Sequence, residues 1–185
     1  RAATAVVGEL PARHDIGGYP FLVFHDPYDA SERATRPDAD FVRLREAARL
    51  HPGQPVVALQ HNPVHPPIES AYPYMLTNRG EVMRAYEEAG VVLSLSGHYH
   101  RGQSLTRRGT VTYATCPALC EAPFRYLRVQ LEGRKVSVVE HALAGSCNGT
   151  LPRPRLADHH CHTEFAYCAE DITAEAAIAR AREFG

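Results

Sequence analysis

The first apolar run, residues 19–25 (Tyr-Pro-Phe-Leu-Val-Phe-His), is aromatic and β-branched, which predicts a buried strand that Asp26-Pro27 ends. Phe41, Leu44, Ala47 and Ala48 then recur at helical spacing, and Pro37 with Asp38 suits a helix start, so a helix is predicted over Asp38–Leu50. Gly53 and Pro55 close that unit. Residues 55–60, Pro-Val-Val-Ala-Leu-Gln, form a second apolar strand that delivers His61 at its end. A loop holding Pro63, Pro66, Pro67 and Pro73 follows. Residues 78–89 set Val82, Met83, Tyr86 and Ala89 along one side, with Asn78 placed to cap and Gly90 to stop the helix. Val91–Ser96 is a third buried strand, running directly into Gly97-His98-Tyr99-His100. Strand, helix, strand, helix, strand is the α/β rhythm.

After residue 102 the period changes to two, with short strands expected at 104–106, 110–115, 124–131 and 135–141. The turns at Arg108-Gly109 and Glu132-Gly133 are expected to join antiparallel strands of a sheet packed against the one that ends in the histidines. Arg125, Arg128 and Gln130 interrupt an apolar set as a half-exposed hairpin strand requires. From 144 to 157 the composition shifts to Gly, Ser, Asn, Thr and Pro, which marks a boundary. Beyond it lie one strand near 156–161 and one helix over 173–184. A single βα unit has no core of its own, so it docks on the main body or begins a domain that it does not complete.

With 185 residues, 44% of them hydrophobic, the chain can bury one core and carry an appendage. Lys and Arg number 20 against 21 acidic residues, a net charge of -1, which gives no electrostatic case for nucleic acid or an anionic membrane. The apolar stretches fall far short of the roughly 20 residues that span a bilayer, so no transmembrane segment is expected. Residues 1–9 lack the parts of a signal peptide. Five cysteines without CxxC spacing read as reduced thiols of a cytoplasmic protein. The unusual number is 11 histidines, with His61 and His65, His98 and His100, and His159, His160 and His162 in three short groups.

The second group carries the sharpest signal. A buried strand ends in Gly97, expected to allow the turn without a Cβ clash, and then offers two histidines one residue apart. Gln60-His61-Asn62-Pro63 repeats the arrangement on a neighbouring strand. Ligands on the C-terminal rims of adjacent strands meet in the crevice where α/β sheets place their sites. A solitary histidine in either place is more often a satisfied polar or core group; the pair, matched by a second strand-end histidine, favours metal ligation. His65 either shapes the pocket or faces solvent. Tyr72, Tyr74 and Met75, in the loop after His61, could form a wall for a nucleobase or lipid headgroup, a lid, or plain loop packing.

Over residues 19–143, on Val-Val-Ala-Leu-Gln-His-Asn-Pro at 56–63 and Leu-Ser-Leu-Ser-Gly-His-Tyr-His-Arg-Gly at 93–102, the chain resembles the C-terminal part of a calcineurin-like metallophosphoesterase. The resemblance implies an α/β fold: a partial β-sandwich flanked by helices over 1–143, a linker at 144–155 and a C-terminal βα appendage over 156–185. It also implies that His61 and His98 share one metal while His100 binds another, with two divalent ions (Mn, Zn or Fe) in the completed site and a small phosphomonoester or phosphodiester as substrate. The family's DxH, GDxxD and GNHD or GNHE segments do not stand here. The nearest remnant is Ala12-Arg13-His14-Asp15, where arginine takes the asparagine place and His14 is the candidate leaving-group acid.

Two divalent ions about 4 Å apart need carboxylates to offset their repulsion. A preceding segment or a complementary chain is expected to supply them; within this chain Asp15, Asp26 and Asp29 are the first candidates. Residues 155–185 resemble the opening of a polymerase-and-histidinol-phosphatase domain, implying a second metal site at His160 and His162, although that barrel needs about 250 residues and for this piece alone a surface histidine cluster is the favoured explanation. The leading function is metal-dependent hydrolysis of a phosphoester by a metal-activated water. The alternative is a catalytically silent interaction or regulatory module. A structural zinc domain is disfavoured because the cysteines stand apart from His61, His98 and His100.

Overall fold

The computed structural model describes residues 12–121 and 123–143, and the chain divides into two units, Arg1–Leu143 and Ala144–Gly185. The linker at 144–155, the βα unit at 156–185, His160 and His162 lie outside the described residues.

The elements run β1 (Arg13–Ile16), β2 (Tyr19–Val23), α1 (Asp38–Leu50), β3 (Val56–Leu59), α2 (Arg79–Glu88), β4 (Val91–Ser96), β5 (Gln103–Arg108), β6 (Val111–Thr115), β7 (Arg125–Glu132) and β8 (Lys135–Ala142). Six strands form one mixed sheet in the order β1-β2-β3-β4-β6-β5. β2, β3, β4 and β6 are parallel, and β1 and β5 close the edges antiparallel. The four parallel strands therefore end on one rim.

Parallel strands are covered on both faces and read as apolar runs, as the fully buried Val56-Val57-Ala58 and Val91-Val92-Leu93 show. On one face Val56, Ala58 and Val91 pack with Leu44 and Ala47 of α1 and Val82, Met83 and Tyr86 of α2. On the other, Val57, Val92 and Leu93 meet Val129, Leu131, Val136 and Val138 of the β7-β8 hairpin. That hairpin alternates half-buried and exposed residues and pairs in full register from Arg125↔Ala142 to Glu132↔Lys135.

Three expectations change. β5 and β6 do form an antiparallel pair, but β6 also pairs with β4, so this hairpin extends the site-bearing sheet instead of packing on it. The buried face of β6, all five residues inaccessible or nearly so, takes it into the sheet interior. Asn78 stands at the N-cap of α2 without capping it: its amide accepts from the Arg36 backbone N–H and donates to the Arg36 carbonyl, tying two loops together. β1 is a short polar edge strand that the apolar pattern does not announce. Among the described residues, no helix is long and apolar enough to cross a membrane.

Candidate functional site

Each parallel strand hands residues to the common rim. β2 leads to Tyr28, β3 to His61 and Asn62, β4 to His98, Tyr99 and His100, and β6 to the segment ending at Glu121. The ladder continues beyond the strands. Gln60 N–H donates to the Leu95 carbonyl at 3.1 Å and Gly97 N–H to the His61 carbonyl at 3.0 Å, which clamps the two histidine-bearing turns together. His61 Nε2 and His98 Nδ1 lie 3.0 Å apart, their ring centroids at 4.6 Å.

The turn after β4 is not made by Gly97. A Cβ there would meet only His61 Nδ1 at 3.9 Å, an ordinary contact, and the left-handed residue is His98, φ 64°. Tyr99 N–H closes on the Gly97 carbonyl at 2.7 Å around it. A three-residue turn with positive φ is rare and strained, and such a residue costs about 1–3 kcal/mol wherever the surroundings hold it. The imidazole is thereby turned toward His61 rather than along the strand. Glycine's freedom is needed farther on: Gly102 has φ 70°, and a Cβ would come within 3.1 Å of Pro117 and the Thr115 carbonyl.

Tyrosines surround His98. Ring centroids stand at 5.2 Å for Tyr74, 5.5 Å for Tyr72 and 6.3 Å for Tyr28, and Tyr99 lies edge-on to Tyr74 at 5.0 Å. Fully buried Asn62 pins this wall: it accepts from the Tyr28 hydroxyl at 2.7 Å and donates to the Tyr74 carbonyl at 3.0 Å. Burial pushes the Tyr28 phenol pKa up; the Asn62 bond opposes this and Asp26 adds to it. The structure thus brings Tyr72 and Tyr74 to the histidine pair. His100 Nδ1 meets Glu121 Oε1 at 2.5 Å.

Beneath the rim runs a buried polar chain. Gln60 donates to Ser94 Oγ at 2.7 Å and accepts from the Tyr86 hydroxyl at 3.0 Å, Tyr86 accepts from Arg36 at 3.1 Å, and Arg36 is paired with Asp26. Burial alone would lower the Arg36 pKa; Tyr86 and Asp26 raise it and hold the guanidinium charged.

The other candidates lie elsewhere. Asp26 is buried in its ion pair with Arg36, Asp29 accepts from Ser31 N–H and from Arg33 N–H and guanidinium, and Asp15 is paired with Arg13. None of the three is turned to the histidines as a bridging carboxylate. His14 is exposed on β1 opposite Phe21, which stands opposite Val57. His61 lies four positions past Val57, roughly 13 Å of extended chain, and β1 is separated from β4 by β2 and β3. The structure does not bring His14 to the pair. His65 faces inward, edge-on to Tyr113 at 5.2 Å, and burial lowers its pKa, with Arg108 and Arg79 adding to the shift.

The donor set fits a metal in part. Two imidazole nitrogens bound to one ion at about 2.0–2.1 Å stand roughly 3.0–3.4 Å apart, so His61 and His98 are spaced as neighbouring ligands. Among the described residues no group of three or more His, Cys, Asp or Glu side chains is disposed to hold an ion. The sequence pattern gives no role to Asn62, Tyr28, Tyr99 or Glu121. Asn62 and Tyr99 stand inside the two histidine motifs, whereas Tyr28 and Glu121 carry no local signal.

The chain matches no protein family profile and no curated protein. Solved structures similar to it include a dimetal phosphatase from Danio rerio, with 18% identity, TM-score 0.48, 61% of this chain and 40% of that one covered. Another is a Staphylococcus aureus protein assigned as a 5′-nucleotidase, with 17% identity, TM-score 0.46, 75% of this chain and 30% of that one covered. The chain spans less than half the length of either.

Proposed function

We propose that this chain carries the histidine half of a metal-dependent phosphoesterase site. The observation behind the reading is the 3.0 Å approach of His61 Nε2 to His98 Nδ1 on adjacent strand rims, with His98 held in a left-handed conformation that places it there. Strain maintained at a rim where ligands ordinarily bind favours a chemical task over packing. In this reading His61 and His98 hold one divalent ion, Mn, Zn or Fe, and His100 contributes to a second. Ions in such a site provide an activated water and neutralise charge at phosphorus. Neutral imidazoles do not offset two divalent charges, so in this reading carboxylates come from outside the described residues, a preceding segment or a complementary chain being the expected source. The substrate is a small phosphomonoester or phosphodiester, with Tyr72 and Tyr74 shielding one side of the histidine pair from water.

The occupied carboxylates of Asp15, Asp26 and Asp29 favour a second reading, a catalytically silent module with the same fold. Titrating the full chain with zinc or manganese discriminates the two. The phosphoesterase reading expects saturable binding that His61→Ala or His98→Ala weakens at least tenfold; binding unaffected by either substitution would overturn it.

A further inference from the structure

We infer that the free edge of β8 is a docking site for one extended segment of another polypeptide, added as a strand beside β8 with its apolar side chains turned to β3 and β2. The inference is independent of the phosphoesterase reading. Strands of a parallel sheet are ordinarily covered on both faces. On the helix side of the main sheet Leu22, Phe24, Val56 and Ala58 are all buried. On the other side the cover stops part way. Val57, Val92 and Leu93 are buried in the cluster that the hairpin completes, whereas Tyr19, Phe21 and Val23 of β2 and Leu59 of β3 are only partly buried. Ile16, opposite Tyr19, is 57% exposed.

The hairpin is set so that its next neighbour fills this gap. β7 is tied toward the β6-β5 side: the Arg125 guanidinium donates to the Arg101 carbonyl at 2.8 Å, ahead of β5, and the Leu127 backbone faces the Cys116 thiol just past β6. β8 lies against β4. Its other edge therefore faces β3 and β2, and with strands about 4.8 Å apart in either sheet a strand added there falls over β3. The main sheet's own edges are blunted. β1 has four residues, three of them polar, and β5 carries a register shift and ends in Arg107-Arg108. β8, by contrast, is eight residues without proline, in unbroken register with β7, and among the described residues only β7 pairs with it. A long regular edge of that kind is a template for a further strand. A second copy of this chain does not fit there. Antiparallel pairing of β8 with itself turns about an axis perpendicular to the sheet, which leaves both main sheets on the same side. Each extends past β8 through β3, β2 and β1, so the two collide. A lone strand meets no such obstacle. Arg134, in the β7-β8 turn, lies beside Gly90 ahead of β4, so β8 runs toward the histidine rim and one end of the docked segment comes to the rim of β3.

The test is amide hydrogen exchange read by NMR on the full chain, alone and with a synthetic peptide, matched to β8 in length, that alternates valine with threonine and lysine. A second peptide has the same sequence with alternate backbone nitrogens methylated, which removes ladder donors. The expected result is that exchange at alternate amides of 135–142 slows by about tenfold or more with the first peptide and not with the second, while the edges of β1 and β5 do not respond. Phe21→Thr should weaken the first peptide about three- to tenfold, with protection between β7 and β8 retained. No slowing at β8 in millimolar peptide, equal slowing by the methylated peptide, or slowing confined to β1, β5 or β7 overturns the inference on the wild-type chain, without any variant. Undiminished affinity in a folded Phe21→Thr overturns the placement over β2 and β3. A dimer in sedimentation whose β8 amides are protected without peptide would put a second copy on this edge and overturn the inference as well.

Discussion

His98 shows how one backbone angle can say more than a motif. The spacing of Gly97, His98 and His100 marks the place, but the expectation that glycine makes the turn fails because side-chain patterns carry no information about which residue takes the positive φ. If His98 is held there at a cost, replacing it should reveal that cost. A left-handed alanine loses about 1–2 kcal/mol, while glycine loses about 0.5–1 kcal/mol through its freer unfolded chain. His98→Gly should therefore be more stable than His98→Ala by roughly 0.5–1 kcal/mol in urea unfolding; an alanine variant equal to or better than glycine would show that the turn relaxes. His65 gives a pH prediction at the same scale. Its folded pKa lies below the ordinary 6.5, so between those values the unfolded chain binds more protons than the native one. Its contribution is complete above pH 6.5 and is lost as pH falls through the folded pKa. His65→Phe should flatten the dependence of stability on pH just below 6.5, and an unchanged slope would remove His65 as its source.

Elements were legible in proportion to how much apolar surface they bury. Residues Asp38–Leu50 and Val91–Ser96 have the bounds that periodicity assigns them, because both are fixed by burial on the same core. β1 is invisible to that pattern: Arg13, His14 and Asp15 bury little, and the strand exists through its ladder to β2. Its available signal was the Gly17-Gly18 pair, a hairpin turn of known preference. The placement of β5 and β6 was unreadable for another reason. Alternation says that a strand is half-covered, not which sheet covers it. The β7-β8 hairpin offers a test at this scale, since Val138 packs on the main sheet whereas neighbouring Val139 is 46% exposed. Val138→Ala should cost about 1–2 kcal/mol and Val139→Ala less than about 0.5 kcal/mol. Equal costs would mean that the outer face of the hairpin is also covered.

At the scale of the whole molecule, the site is lopsided in its chemistry. The rims of β3 and β4 contribute a clamped histidine pair, the rim of β6 a carboxylate aimed at His100, and the rim of β2 a tyrosine, while the candidate acidic groups of 15, 26 and 29 hold arginines or a local turn. The histidine half was readable from sequence because strand-end motifs are local. The carboxylate question was not, since whether Asp26 faces a metal or an arginine depends on Arg36, ten residues away and folded beneath it. That lopsidedness predicts little hydrolysis of a generic phosphomonoester or phosphodiester by the full chain in manganese or zinc, because nothing among the described residues bridges two ions and a lone ion lacks a partner to hold the leaving oxygen. Adding in trans, or fusing ahead of Arg1, a segment bearing the acidic motifs should raise both metal stoichiometry, to two per complex, and turnover. His98→Ala or His100→Ala should then abolish the gain. Strong hydrolysis by the chain alone would mean that a carboxylate within it completes the site. Reconstitution that yields neither metal nor turnover would leave the silent module as the better account, since histidine geometry without an ion cannot generate hydroxide at neutral pH.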